Sequence, residues 1–301
     1  MSTAEAFRRL LFDCEFTGAE EQAYETHRDQ VRRRLVSSFD VVDVVDFGSY
    51  TRGSAIRQSS DLDLLLVLRQ HEVTRGGFSK SSATVLRAVR DALSERFPST
   101  KVGLDKQAVG VDFNRGRRVE VVPAWWREAR TDGWPIYAIP DGSGSWTGTS
   151  PKRHAKYIAD ADRRSGGKLK HVARLLKYWR VSRASMVPIN SFYVEMLMAN
   201  TDICLVGSTY AECFASLLNA LRELECASFE DPLGISEGVD ACGSAAKQDR
   251  ALAVVGASAE RAMRAVEAEH RGEIREAFRL WNLVFNGTFP ASRSRLSESR
   301  R

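Results

Sequence analysis

Hydrophobic positions change period several times along the chain. Between residues 4 and 38, Phe7, Leu10, Leu11, Tyr24, Val31 and Leu35 recur at helical spacing among many charges, with a break at Thr17-Gly18, which predicts two helices or one kinked helix. From Phe39 the period shortens. Val41, Val42, Val44, Val45 and Phe47 form a β-branched and aromatic run that stops at Gly48-Ser49, and Asp61 to Leu68 reads as a second strand, apolar on both faces after its first turn. Ser81 to Phe97 predicts a helix, with a serine cap, a Val85-Val89-Leu93-Phe97 face and Pro98 beyond its end. Two alternating runs, Gln107 to Phe113 and Arg117 to Val122, flank Asn114-Arg115-Gly116, a hairpin signal because Asn and Gly tolerate positive φ. After the Gly- and Ser-rich stretch Asp141 to Pro151 no comparable strand pattern follows, and helical periodicity dominates from Arg153 to Phe285. The pattern predicts an α+β protein of two lobes: residues 1–140, an N-terminal helix and a core with a small sheet, and residues 141–301, mostly helical. No internal repeat is visible.

The composition excludes several classes. With 301 residues, 43% apolar and 28% charged, the chain carries too much apolar side chain for extended disorder. Lys and Arg exceed Asp and Glu by 44 to 39, a net charge of +5, which favours phosphate-bearing ligands mildly and includes no dedicated basic arm. The five cysteines, Cys14, Cys204, Cys213, Cys226 and Cys242, form no CxxC pair and read as buried reduced thiols rather than a disulfide framework or a zinc site. No stretch reaches the roughly 18 apolar residues of a membrane span, so the expectation is a cytoplasmic protein.

Candidate chemistry concentrates between Phe47 and Leu68. Gly48 lets backbone approach a phosphate closely, and Ser49 adds a hydroxyl and an N–H at the start of a short helix. Asp61 and Asp63 are two apart on a strand, so both carboxylates face one way while Leu62 enters the core. A third acid, Glu120, is isolated in the apolar strand Arg118-Val119-Glu120-Val121-Val122, where it requires a solvated rim, an ion pair with Arg117 or Arg118, or a metal. Three such acids suit two divalent cations about 3.5–4 Å apart, the arrangement for in-line phosphoryl transfer. Two look-alikes fail. Asp46-Phe47-Gly48 spells a kinase magnesium triplet without the kinase catalytic loop, and Gly48 to Ser54 has P-loop glycine spacing with Ser54 at the obligatory lysine. Four tryptophans, Trp125, Trp126, Trp134 and Trp146, read as buried aromatics between the lobes before base-stacking groups. His154 and His171 read as surface or satisfied side chains, and the run Gly142 to Gly148 as an inter-lobe linker before a lid.

Gly48-Ser49, Asp61-x-Asp63 and Glu120 resemble the signature of the DNA polymerase β-like nucleotidyltransferase superfamily. Later segments are similar to the cGAS/DncV-like nucleotidyltransferases of bacterial anti-phage signalling. They are Ile139-Pro140-Asp141-Gly142, Ser145-Trp146, Ser150-Pro151, Gly166 to Lys170 leading to Leu176-Lys177-Tyr178-Trp179, Asn190 to Glu195, Asp231-Pro232 and Phe285 to Pro290. The resemblance spans residues 40–290 and implies a polymerase β-like core and a helical lobe closing a nucleotide cleft. It implies two Mg2+ ions, replaceable by Mn2+, on Asp61, Asp63 and Glu120. It assigns the grip on the donor triphosphate to Lys177 and Ser191, and base stacking to Phe192. The residue-level alternatives are a solvent-facing lysine for Lys177 and a helix cap for Ser191. The implied function is a cyclic oligonucleotide synthase that joins ribonucleoside triphosphates into a second messenger for anti-phage defence, under a regulatory protein or a nucleic-acid activator. The three acids serve equally a linear oligoadenylate-type or RNA-tailing enzyme, and a non-catalytic nucleotide or RNA sensor is the third reading. The sequence departs from the family pattern in having Glu at the third acid, Asn286 where Gly is frequent, and a C-terminus, SRSRLSESRR, without the small residues some relatives use for conjugation.

Overall fold

The computed structural model describes residues 1–113, 117–129, 133–183 and 187–290, with the side chain of Arg117 outside the description. Ser2 caps α1 (Thr3–Asp13) and Thr17 caps α2 (Gly18–Ser38), each through a capping box in which the glutamate three residues on returns a hydrogen bond to the cap backbone. The N-terminal pattern is therefore two helices. β1 (Val41–Phe47) leads into the short α3 (Gly48–Arg52), and β2 (Leu62–Leu68) follows. Next come α4 (Gln70–Val73), the small ladder β3 (Thr74–Arg75) and β4 (Phe78–Ser79), and α5 (Ser82–Arg96), capped by Ser81 as its sequence predicts. Five strands follow: β5 (Lys101–Asp105), β6 (Ala108–Phe113), β7 (Arg117–Ala129), β8 (Pro135–Pro140) and β9 (Trp146–Thr149). The rest is helical, with α6 (Pro151–Arg164), α7 (Lys168–Val181), α8 (Ser191–Thr201), α9 (Tyr210–Glu223), α10 (Ala245–His270) and α11 (Ile274–Val284).

The chain divides into two units. A sheet unit comprises Phe16–Tyr157 and Glu230–Val239, and a helical unit comprises Met1–Glu15, Ile158–Phe229 and Asp240–Arg301. This differs from a boundary at residue 141 for identifiable reasons. Residues 141–149 complete a hairpin rather than a linker or a lid: the Asp141 carboxylate accepts hydrogen bonds from the Ser143 and Ser145 N–H groups at 2.8 and 2.9 Å, and β9 pairs with β8. Helix α1 groups with the helical unit because Phe7 is buried among Trp281, Phe285 and Phe289, with ring centroids 4.9 to 6.0 Å away. The segment Glu230–Val239 is pinned in the sheet unit through Asp231. Its carboxylate accepts from the N–H groups of Leu233, Ile235 and Ser236 and stands 3.1 Å from the ring Nε2 of buried His154. Burial alone would raise the Asp231 pKa, but the bonds from His154 and the backbone N–H groups outweigh it and hold the carboxyl well below the usual range. His154 is thus a satisfied core group, and half-buried His171 is satisfied as well, its Nδ1 2.8 Å from the Tyr210 hydroxyl.

The sheet has seven strands, more than the small sheet the sequence pattern predicts, in the order β1-β2-β7-β6-β5, with β8 and β9 added along the second half of β7. β2 and β7 run parallel at its centre, and the β6-β7 hairpin is present, its turn at 114–116 lying outside the described residues. On one face Leu62, Leu64, Leu66 and Leu68 pack with Val31 and Leu35 of α2 and Val89 and Leu93 of α5. On the other, Leu65 and Val67 meet Val122 and Ala124, with Phe47, Tyr137 and Ile139 against them. Trp125 and Trp146 belong to the first of these layers and meet edge to face at 6.3 Å, while Trp126 is exposed. Trp125 and Trp146 therefore belong to the sheet unit's own packing, and Trp126 is not a buried aromatic. All five cysteines are buried and unpaired thiols.

Candidate active site

Strand alternation places the acids. Asp63 shares the face of Leu65 and Val67, and Glu120 shares the face of Val122 and Ala124, which is the same side of the sheet, whereas Asp61 immediately precedes β2 and lies outside the strand on which the sequence pattern places it. The parallel register sets Asp63 directly opposite Glu120, so their backbones are one strand spacing, about 4.8 Å, apart. Asp46, the acid of the kinase-like triplet, falls on the opposite face, where Arg28 and Arg32 pair with it at 3.4 and 3.1 Å. It is not part of the cluster.

Gly48 has a specific reason to be glycine. Its φ is +79°, and a Cβ built there would come within 1.7 Å of Asp63 Oδ2 and 2.5 Å of Asp63 Cγ. The Asp63 carboxylate rests against the α carbon of Gly48, with Ser49 next in α3. A cavity of about 120 Å³ lined by Arg28, Asp46, Tyr50, Thr51 and Asp63 adjoins it. It is smaller than the roughly 300 Å³ at which ligand pockets begin, so it suits waters rather than a nucleoside.

Glu120 is held by an arginine. Arg118 lies two residues earlier on the same face of β7, and its Nε donates to Glu120 Oε1 at 2.8 Å while its Nη1 donates to Asp112 Oδ1 at 3.0 Å. The guanidinium occupies the space above Gly110, where a Cβ would meet it at 2.2 Å. Gly110 is itself the residue of β6 opposite Glu120. Burial pulls the Arg118 pKa down, but Glu120 and Asp112 outweigh it and raise it. Of the pairing options for Glu120, Arg118 is realised. The Arg118-x-Glu120 spacing held this contact in plain view, whereas Gly110 becomes visible only through the cross-strand register.

Among the described residues no group of three His, Cys, Asp or Glu is gathered closely enough to enclose a metal ion by itself. The donor set nonetheless fits magnesium. Mg2+ takes oxygen ligands and is usually held by one or two carboxylates together with substrate phosphates, so an all-protein cage is not required, and Asp63 and Glu120 supply oxygen donors on one face, with Asp61 two residues before Asp63.

The remaining candidates lie in the helical unit. Lys177 is only 6% exposed, so it is not a solvent-facing lysine of α7. Asn190 is the cap of α8, its Oδ1 accepting from Phe192 N–H at 2.9 Å, which leaves Ser191 as the first helical residue rather than the cap. Ser191 Oγ accepts instead from Arg180 Nη1 at 3.2 Å, a contact the sequence pattern does not signal. Phe192 is half-buried beside it. The structure thus sets Gly48 against Asp63, with Ser49 next in α3 and Glu120 opposite Asp63; Asp61 belongs to the same sheet unit, and Lys177, Ser191 and Phe192 belong to the helical unit.

The profile of the Second Messenger Oligonucleotide or Dinucleotide Synthetase domain matches residues 1–162. The chain belongs to this family. It is a nucleotidyltransferase of the cGAS/DncV-like group, as its motifs imply. It is 27% identical to the cyclic AMP-AMP-AMP synthase of an Acinetobacter species over 99% of this chain and 88% of that relative. Its fold is similar to that of Escherichia coli MS115-1 CdnC solved in complex with HORMA-deltaN, with a TM-score of 0.71, 19% identity and coverage of 95% of this chain and 98% of that one. It is also similar to the Vibrio cholerae di-nucleotide cyclase DncV in a mutant form bound to ATP and GTP, with a TM-score of 0.69, 12% identity and 94% coverage of each. The polymerase β-like α+β architecture is therefore established. No helix among the described residues is long and apolar enough to cross a membrane.

Proposed function

We propose that the protein joins ribonucleoside triphosphates and closes the product into a cyclic oligonucleotide, with Asp61, Asp63 and Glu120 as the catalytic acids. The observation that carries this reading is the pairing of Asp63 with Glu120 across the parallel strands, beside a glycine whose missing side chain makes room for the Asp63 carboxylate. Asp61 and Asp63 would hold Mg2+, or Mn2+ in its place, together with Glu120. Such ions neutralise charge on the donor phosphates and favour ionisation of the attacking hydroxyl. Glu120, kept in position by Arg118, accepts the proton of the acceptor ribose hydroxyl. The hydroxyl oxygen bonds to the donor α-phosphorus, the α–β phosphoanhydride bond breaks, and pyrophosphate leaves. Gly48 and Ser49 offer backbone and hydroxyl donors to the triphosphate, and the family resemblance gives Lys177 and Ser191 a grip on a triphosphate and Phe192 a base to stack on.

The Acinetobacter relative supports ATP as a substrate, and the CdnC complex supports a protein regulator. We place the activity in the cytoplasm, in defence against phage. Release of pyrophosphate from ATP with Mg2+ or Mn2+, compared with Asp61→Ala, Asp63→Ala and Glu120→Gln, tests the assignment. Loss of release in all three variants supports it. Undiminished release in any of them removes that residue from the reaction.

A further inference from the structure

Arg180 of α7 is mostly buried and has no carboxylate partner among the described residues. Its contacts are Nε to the Val187 carbonyl at 3.1 Å and Nη1 to Ser191 Oγ at 3.2 Å. Burial pulls its pKa below the usual arginine value, and the thiol of Cys242, which pushes the other way, does not compensate. Taking a guanidinium out of water without a counter-charge is unfavourable, so folding gains little from such a residue. The Val187 carbonyl does not depend on it either, because Ile189 N–H also donates there at 3.0 Å. What Arg180 does determine is the direction of a proton. Ser191 Oγ already accepts from the guanidinium, so its own O–H is left to donate, which is the form that an anionic oxygen requires. Lys177 lies one turn back on α7, and side chains at that spacing are neighbours.

We propose that Arg180 is a positioning residue for the triphosphate, fixing Ser191 as a donor to a phosphate oxygen and supplying a buried positive charge that the bound nucleotide neutralises. This rests on the reading of Ser191 as a nucleotide-binding residue.

The test measures ATP binding to the full chain by calorimetry in Ca2+, to limit turnover, together with thermal midpoints of the ligand-free protein, for the wild type, Arg180→Met, Arg180→Lys, Ser191→Ala and the Arg180→Met, Ser191→Ala pair. Hydrogen bonds to charged groups contribute enough that Arg180→Met is expected to weaken ATP about tenfold or more. Its ligand-free midpoint is expected to equal or exceed that of the wild type. Arg180→Lys, which keeps the charge, should recover part of the affinity, and the double variant should lose less than the two single losses combined. An Arg180→Met protein that binds ATP within about twofold of the wild type, while Ser191→Ala binds weakly, overturns the inference and leaves the role of Ser191 standing. A lowered midpoint or failure to fold overturns it as well, since it makes Arg180 a structural residue. A wild type that binds no ATP, or a Ser191→Ala variant that binds it as well as the wild type, overturns the underlying reading and the inference with it.

Discussion

Replacing Gly48 by alanine tests the geometry of the acid cluster through a single methyl group. Its Cβ would stand 1.7 Å from Asp63 Oδ2, whereas ordinary contact begins near 3.4 Å. The carboxylate must therefore withdraw by about 1.7 Å or the strand end must move. Two costs combine. A non-glycine residue at φ +79° costs about 1–2 kcal/mol, and overpacking against a neighbour adds about 1–3 kcal/mol, a total of about 2–5 kcal/mol in urea unfolding. The functional cost is separate, since displacement of a reacting group by about 1 Å is enough to lower a rate about a hundredfold. Gly77→Ala is the control, because Gly77 has φ +84° with nothing within 4 Å of its Cβ. It should lose only the conformational part, about 1–2 kcal/mol, and keep its rate of pyrophosphate release. A Gly48→Ala enzyme that remains folded and turns over within about threefold of the wild type would refute the placement of Asp63 at the reacting centre.

Arg118→Met should lower kcat by about 10- to 100-fold with little change in KM for ATP, the range expected when a group that orients a ligating carboxylate is removed, and steady-state kinetics would detect a KM effect instead. For Asp231, the folded-state pKa is depressed, so its contribution to stability is present above the unfolded carboxylate value and is lost as pH falls toward the folded one. Unfolding midpoints followed downward from about pH 5 should drop steeply in the wild type, and Asp231→Asn should be less stable at neutral pH with a shallower acid slope. Phe7→Ala should cost about 3–5 kcal/mol, because Phe7 is fully buried in the aromatic cluster with Trp281 and Phe289, and denaturant unfolding measures it.

Much of the sheet unit was legible because its central strands are long apolar runs with one-face acids. Alternation fixes the face of Asp63, while β2 begins one residue after Asp61, and β6 and β7 pair antiparallel as the hairpin signal at Asn114-Arg115-Gly116, residues outside the description, predicts. The missed elements are those whose pairing is non-local. β5 carries Gly103 and exposed Lys101 and Asp105, so it lacks an alternating pattern, and β9 is hidden in Gly- and Ser-rich text whose strand character comes from pairing with β8. The division of the chain was obscured for the same reason. Nothing local to Asp231 announces that its carboxylate anchors a loop to His154, a partner 77 residues away. At the site, residue types and spacing pick out the candidate acids, whereas the seat of the Arg118 guanidinium over Gly110 and the contact of Arg180 with Ser191 exist only once strands and helices are packed.

The most direct measurement of the central claim is a product analysis. The protein is incubated with all four ribonucleoside triphosphates and Mg2+ or Mn2+, treated with phosphatase, and the surviving species are identified by mass spectrometry beside an Asp61→Ala, Asp63→Ala protein. The account predicts phosphatase-resistant cyclic oligonucleotides, with adenine among their bases, that are absent from the variant. Linear oligonucleotides as the only products, or cyclic products undiminished in the variant, would contradict it.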